Sequence, residues 1–216
     1  EAELFDADML KTRLGTGHYQ LGVHCRGGAL VQPAALAKGL LETLPEQVEI
    51  FENTPVRDIK TEGGEIKLSL PDGEVRAKRI IVGVNAFMPR LGLQMDRVFP
   101  LALSASLTRP LTESEEDEIS RVASWGILSP QSLGATMRLT QDRRILIRNT
   151  AEFRRGGISV SLLAERRKKH YQGLARRFPW LDGEAIEYTW SGNICGSRNS
   201  KPVFGEVSKN VFAAGC

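Results

Sequence analysis

Residues Arg79-Ile-Ile-Val-Gly-Val84 form the stretch that decides the fold class. Its apolar side chains do not alternate with polar ones, which is typical of a strand that is buried on both faces. Such strands occur in parallel sheets that lie between layers of helices. The stretch therefore predicts a three-layer α/β domain built around this strand.

The residues before this strand predict helices and an antiparallel meander. Pro33 suits the first turn of a helix, and the Ala- and Leu-rich stretch 34–44 continues that helix to Pro45. Residues 6–11 predict a shorter helix that ends before Gly15. Short strands are predicted at 48–51, 56–59, 66–70 and 74–77, with glycine turns at Gly63-Gly64 and Pro71-Asp-Gly73.

After Pro89 the sequence predicts antiparallel strands and one long helix. Antiparallel strands are predicted at 98–107, 124–128, 135–139 and 145–148, and residues 140–143 form a hairpin tip between the last two. Residues 159–178 predict an amphipathic helix with its basic side chains opposite Leu163, Tyr171 and Leu174. Short strands return at 187–191, 203–204 and 210–214.

The predicted architecture is a mixed α/β fold in two parts. Residues 1–90 and 200–216 form a partial three-layer domain, and residues 91–199 form an antiparallel sheet with a helix packed on it. The exposed half-sheet edge at 211–214 predicts self-association. The chain starts with Glu1 and ends at Cys216 directly after a strand, so we expect it to be an internal fragment.

Composition excludes several classes of function. The 216 residues carry a formal net charge of +3, and 41% are hydrophobic, so neither nucleic acid nor a membrane surface is indicated as a partner. The basic run 166–170 lacks interleaved aromatic residues and reads as a solvated helix face. No apolar run is long enough to span a bilayer, which predicts a cytoplasmic protein.

The three cysteines, Cys25, Cys195 and Cys216, are odd in number and far apart. This favours free thiols in a reducing compartment over a disulfide framework, and a small buried thiol at Cys195. The pair His24-Cys25 has too few potential partners for a metal site, so no metal is predicted. Neither a G-x-G-x-x-G loop nor a G-x-S-x-G elbow occurs in the chain.

Several ordered motifs resemble one family of flavoenzymes. They are Gly28-Ala-Leu-Val-Gln-Pro33, Val48-Glu-Ile-Phe51, Asn53-Thr-Pro-Val56, Pro71-Asp-Gly73, Ile80-Ile-Val-Gly-Val-Asn-Ala86, Trp190-Ser-Gly-Asn193, Pro202-Val-Phe-Gly205 and Asn210-Val-Phe-Ala-Ala-Gly215. In order and spacing they are similar to the D-amino-acid oxidase and glycine/sarcosine oxidase superfamily, closest to its γ-glutamylputrescine oxidoreductase branch. The family's glycine fingerprint and its last flavin-binding loop are absent, so the resemblance implies FAD in a full-length parent and none in this fragment.

The resemblance also implies cofactor contacts. The loop that carries Val56 would hold the adenine through its main chain, although Val56 could simply begin a strand. Gly83 and Asn85 match the turn after a central strand, where α/β sheets bind ligands, although turn geometry alone could also select them. The segments at Gly192-Asn193 and Gly215 would approach the flavin ring and open its last binding loop.

The resemblance implies an oxidation in which the flavin does the redox chemistry, so no protein nucleophile or other catalytic residue is assigned. Arg138 and Arg148 lie on the strands that would cover the flavin and could hold a substrate carboxylate, or they could belong to a solvated strand face. Some relatives attach flavin through a cysteine in this region, but the spacing of Cys195 to Pro202 does not match that pattern.

The function expected from the resemblance is oxidation of an amine or amino acid by hydride transfer to FAD. The alternative is a non-enzymatic interaction domain, or a subunit, built on the same fold.

Overall fold

The computed structural model describes residues 2–154 and 157–216, and in them four α-helices and thirteen strands. The helices are α1 (Ala7–Leu14), α2 (Pro33–Glu42), α3 (Glu113–Glu118) and α4 (Val160–Ala175). The strands are β1 (Ala2–Asp6), β2 (Leu21–Cys25), β3 (Asp58–Glu62), β4 (Glu65–Leu70), β5 (Gly73–Ala77), β6 (Ile80–Val82), β7 (Val98–Thr108), β8 (Trp125–Leu128), β9 (Thr136–Leu139), β10 (Ile145–Glu152), β11 (Ile186–Ser197), β12 (Val203–Ser208) and β13 (Val211–Gly215). The predicted fold class, mixed α and β with antiparallel sheets, is confirmed.

The chain divides into two compact units, each built from separated segments. Unit 1 comprises the described residues of Glu1–Pro33, Leu103–Glu152 and Gly156–Gly192. Unit 2 comprises those of Ala34–Ala102, Phe153–Arg155 and Asn193–Cys216. The first 33 residues therefore group with unit 1, whereas the sequence-based division placed them with residues 200–216. The assignment of a flavin domain and a substrate domain stays a prediction.

Unit 1 is built on the five-stranded sheet β11-β7-β10-β9-β8, against which α4 packs through β10. Along β9 and β10 every second side chain is buried, because successive residues of a strand point to opposite faces. Met137, Leu139, Ile145 and Ile147 thus share a core with Phe178, which follows α4. The predicted strands 98–107 and 145–148 and the predicted helix 159–178 are confirmed with small shifts of their ends.

Two residues of the basic run on α4 are buried, so the interpretation of that run as a solvated face is wrong for them. Arg166 is 8% exposed and pairs with Glu152, at 2.5 Å between the guanidinium Nε and the carboxylate Oε1. His170 is fully buried and is hydrogen-bonded to hydroxyl groups of the sheet. The burial of these two side chains is tolerated because Arg166 is ion-paired and His170 is hydrogen-bonded within the fold.

Unit 2 contains two three-stranded sheets, β3-β4-β5 and β12-β13-β6. They meet through Ile66, Val82 and Val211, all buried. The turns at Gly63-Gly64 and at 71–72 join β3, β4 and β5 as predicted, and both glycines have positive φ. The two sheets of unit 2 thus share one apolar core.

Three expectations for unit 2 are corrected. Residues 48–51 form no strand, since no neighbouring strand pairs with them, and Phe51 is 72% exposed. β6 is buried on one face only, with Ile81 77% exposed. β13 lies between β12 and β6 and is paired on both sides, so residues 211–214 are not a sheet edge.

None of the helices in 2–154 and 157–216 has the length and apolar character needed to cross a bilayer.

Candidate functional site

The carboxyl ends of two neighbouring parallel strands bring together three of the predicted cofactor-binding residues. β6 and β13 run parallel, with Val82 opposite Ala213. Gly83 and Asn85 follow β6, and Gly215 is the last residue of β13. Crevices at the carboxyl edge of parallel strands are the usual ligand sites of α/β sheets. We call the cluster of Gly83, Asn85 and Gly215 the β6–β13 edge.

Asn85 fixes the shape of this edge. Its φ is 48°, in the left-handed region that asparagine tolerates better than most residues. Its side-chain Oδ1 accepts a hydrogen bond from the backbone N–H of Cys216 at 3.0 Å. The turn after β6 is therefore tied to the end of β13, which explains an asparagine at this place.

Gly215 is required by close packing. A Cβ atom at this position would lie 2.6 Å from the Met88 Cε and 3.2 Å from the Asn85 Cα. Gly83 differs, because a Cβ atom there would meet no atom within 4 Å. The two glycines of the β6–β13 edge thus have different physical roles.

Replacing Gly215 with alanine is expected to lower the free energy of unfolding by about 1–3 kcal/mol. The added methyl group would push the Met88 side chain and the Asn85 backbone away from residue 215. Urea unfolding followed by circular dichroism measures the change. The matched control is Gly83→Ala, for which a change within about 0.5 kcal/mol is expected. Equal effects of the two substitutions would contradict the packing role of Gly215.

The other predicted cofactor residues lie elsewhere in the structure. Val56 is half-buried in a loop, two residues before β3 begins, so it does not start a strand. Gly192 lies on β11, and a Cβ atom there would meet nothing within 4 Å. Next to it, the side-chain Oδ1 of Asn193 is buried and has no hydrogen-bond partner among the described residues. A buried acceptor without a donor is costly, because it has lost its hydrogen bonds to water.

Arg138 and Arg148 lie in unit 1 on the sheet face opposite the buried residues of β9 and β10. In the strand register Arg148 is opposite Thr136 and Arg138 is opposite Leu146. Arg138 donates to the backbone oxygen of Val31 at 3.2 Å. Arg148 donates to the hydroxyl of Thr136 at 2.6 Å and to the Leu133 backbone oxygen at 3.2 Å. Both side chains are half-buried, so neither belongs to a fully solvated face.

A family model described as DAO, FAD dependent oxidoreductase, matches residues 1–216. The chain belongs to this FAD-dependent oxidoreductase family.

Individual relatives in this family are distant in sequence. The probable oxidoreductase OrdL of Haemophilus influenzae is 24% identical over 98% of this chain and 48% of its own length. The γ-glutamylputrescine oxidoreductase of Escherichia coli K12 is 24% identical over 98% of this chain and 49% of its own length. The chain spans about half the length of the curated relatives it matches.

The fold is shared with solved flavoenzyme structures. Glycine oxidase from Geobacillus kaustophilus aligns with 100% of this chain and 57% of its own, at a TM-score of 0.73 and 18% sequence identity. At this identity the likeness establishes the fold alone.

Two cysteines of this family member correct the sequence-based expectation of free thiols. The sulfur atoms of Cys195 and Cys216 are bonded, and their Cα atoms lie 4.7 Å apart, within the range of protein disulfides. Cys195 is half-buried and forms a disulfide, so it is not a buried free thiol. Cys25 is free and exposed. The bond joins β11 to the end of β13, next to the β6–β13 edge.

A buried polar cluster around His170 was missed by the sequence reasoning. The ring Nδ1 lies 2.7 Å from the Ser106 hydroxyl, and Nε2 lies 3.2 Å from that of Ser104 and 3.3 Å from that of Thr150. Burial, together with the nearby Arg166 charge, lowers the pKa of His170 to about 4. The alternation of Ser104 and Ser106 along β7 is the sequence signal that indicates their common face.

Proposed function

We propose that this chain is the part of an FAD-dependent oxidoreductase that contacts the flavin from the β6–β13 edge and binds an amine or amino-acid substrate. The observation that carries the proposal is the convergence of Asn85 and Gly215 at the carboxyl ends of parallel strands, in a chain of this family. The names of a similar protein, γ-glutamylputrescine oxidoreductase, and of a solved structure with this fold, glycine oxidase, support the substrate class.

The residues present fit a flavin by their chemistry. The Asn193 Oδ1 is a buried acceptor without a donor, and the ring system of a flavin carries N–H groups that can donate to it. When bound, the flavin would accept a hydride from the substrate C–H bond next to nitrogen. The chain's own residues would then orient the ring and exclude water, and the backbone at Val56 would contact the adenine.

The exposed apolar surface of unit 2 also supports the proposal. No residue of α2 is buried, and Leu36 and Leu40 are 51% and 61% exposed. Ile81 on β6 is exposed as well. A helix and a strand with uncovered apolar faces are typical of a domain that packs against further protein. We propose that these faces are covered by the other flavin-binding elements of the whole enzyme.

The test compares the chain with the protein encoded by its complete reading frame. We expect the complete protein to purify with FAD, seen as absorbance near 450 nm, and to reduce an electron acceptor when supplied with amines or amino acids. The 216-residue chain alone is expected to hold no stoichiometric FAD. A colourless complete protein, under conditions that retain flavin, would support an interaction domain instead.

Removing the Asn193 side chain in the complete protein tests the proposed hydrogen bond between its Oδ1 and the flavin. We expect Asn193→Ala to weaken FAD retention by about 2- to 10-fold, because a hydrogen bond contributes roughly 0.5–1.5 kcal/mol. The matched control is Asn199→Ala, since Asn199 is exposed and its side-chain oxygen accepts a hydrogen bond from the Lys201 backbone N–H. Unchanged FAD content in Asn193→Ala would argue against this contact.

A further inference from the structure

The two sulfur atoms of the Cys195–Cys216 disulfide differ in their access to solvent. Both cysteines belong to unit 2. Cys195 is half-buried and packs against an apolar cluster, whereas Cys216 is exposed. That cluster consists of Met88, Val98 and Ala213. An external thiol can therefore reach the sulfur of Cys216, and exposed disulfides are the ones that exchange readily.

The strands that carry the two cysteines are held in place without the bond. β13 pairs with β12 on one side, up to Gly215 opposite Val203, and with β6 on the other. β11 pairs with β7. Because these backbone hydrogen bonds remain when the disulfide opens, the two thiols stay close to each other. The bond can therefore form again after reduction.

The backbone of Cys216 is the part of the β6–β13 edge that depends on the bond. Its φ is 61°, in the left-handed region that residues other than glycine rarely adopt. The disulfide and the hydrogen bond from the Cys216 N–H to the Asn85 Oδ1 both hold it there. When the disulfide opens, one of these two restraints is lost. Reduction therefore loosens residue 216 and the Asn85 turn but leaves the strands paired.

The disulfide also lies next to the proposed flavin contact. Asn193 and Cys195 are two residues apart on β11, so their side chains point to the same face of that strand. Both are half-buried, whereas Ile194 between them is exposed. A change at Cys195 is therefore made on the face where Asn193 would accept a hydrogen bond from the flavin.

We propose that Cys195 and Cys216 form a thiol–disulfide exchange site, at which small thiols open the bond reversibly and loosen the β6–β13 edge. A thiolate attacks the Cys216 sulfur, forms a mixed disulfide there and releases Cys195 as a thiolate. A second thiolate attacks the external sulfur and releases Cys216. Two small thiols are thus oxidised to one disulfide, and the protein disulfide takes up two electrons and two protons. The exchange is independent of the proposed function, whereas its effect on flavin binding rests on it.

The test equilibrates the complete protein with glutathione buffers in which the ratio of the reduced to the oxidised form is varied. Samples are quenched with acid, alkylated and digested, and mass spectrometry gives the state of each cysteine. We expect Cys195 and Cys216 to change together from bonded to alkylated, and to return when oxidised glutathione is restored. Cys25 is the internal control, since it is free and exposed and should be alkylated before any reductant is added.

Two single substitutions test which sulfur is attacked. In Cys195→Ser the exposed Cys216 has lost its partner, so we expect oxidised glutathione to trap it as a mixed disulfide. In Cys216→Ser the remaining thiol is half-buried against the apolar cluster, so we expect it to react about tenfold more slowly. Equal rates in the two variants would overturn the assignment of Cys216 as the attacked sulfur.

Hydrogen exchange of the unchanged protein measures the loosening. We expect the amides of residues 85–91 and 214–216 to exchange about 2- to 10-fold faster after reduction, because a restraint on the turn is lost. The amides of β9 and β10 in unit 1 are the control and should keep their rates. A bond that glutathione does not open, or unchanged exchange at residues 214–216 after reduction, would overturn the proposal.

The exchange site and the proposed function fail separately. If the complete protein holds no FAD but Cys195 and Cys216 still titrate together, the oxidase is refuted and the exchange site stands. If the protein holds FAD and the bond resists glutathione at every ratio, the exchange site is refuted and the oxidase stands. If both hold, we expect the reduced form to lose FAD about 2- to 10-fold more readily than the oxidised form. Equal retention of FAD in the two forms would overturn the effect on flavin binding.

Discussion

Alanine in place of Phe178 is expected to lower the free energy of unfolding by about 3–5 kcal/mol, because the lost ring leaves a cavity in a close-packed core. Phe178 is fully buried, and its ring centroid lies 6.4 Å from that of Trp125 and 5.5 Å from that of Trp180. It follows α4 and packs beneath the sheet that carries Arg138 and Arg148. Urea unfolding followed by tryptophan fluorescence measures the change.

The control for this substitution is the same change at an exposed phenylalanine. Phe204 on β12 is 88% exposed, so Phe204→Ala is expected to change the free energy of unfolding by at most about 0.5 kcal/mol. A loss at Phe178 no greater than the loss at Phe204 would contradict the position of the core.

Acidification is expected to lower the free energy of unfolding by about 2 kcal/mol between pH 7.5 and pH 5 through His170. The pKa of His170 is about 4 in the folded chain against a usual 6.5, so the unfolded chain binds the proton more tightly. The neutral ring is therefore favoured in the fold, and this stability is fully present above pH 6.5 and lost as the pH falls towards 4. Urea unfolding at a series of pH values measures it.

The variant His170→Asn separates this titration from that of the carboxylates. Asparagine keeps hydrogen-bonding capacity towards Ser104 and Ser106 but does not titrate. We expect a lower stability at pH 7.5 and a flatter dependence on pH between 7.5 and 5. An identical slope in the variant and the unchanged chain would show that His170 does not titrate as its burial implies.

The elements with clear periodicity could be predicted from the sequence. The hairpins at Gly63-Gly64 and 140–143 and the helix α4 followed from turn residues and apolar spacing. Residues 48–51 have strand composition but no strand beside them, and a strand needs a hydrogen-bonding neighbour. Likewise the place of β13 between β12 and β6 depends on long-range pairing that local pattern does not contain.

The candidate site also contains some features that could be predicted from the sequence and others that could not. Gly83, Asn85 and Gly215 could be anticipated, since parallel strands end at one edge. The Cys195–Cys216 bond could not, because its two residues are 21 positions apart and their approach depends on how β11 and β13 are arranged. The burial of His170 could not be predicted from the sequence for a related reason. Its hydrogen-bond partners lie on β7 and β10, which are distant from α4 in sequence.

The interleaving of the two units has a consequence for synthesis of the chain. Unit 1 resumes at Leu103 after the long segment Ala34–Ala102 of unit 2, and unit 2 is completed only by Asn193–Cys216. Because a domain folds as a unit, neither unit can complete its fold until residues near the end of this sequence have been synthesised. Contacts between residues so far apart also slow folding, since a long loop must close before they form. Nascent chains therefore leave Ile66 and Val82 uncovered until Val211 has been synthesised, and chaperones that bind apolar segments are expected to engage there first.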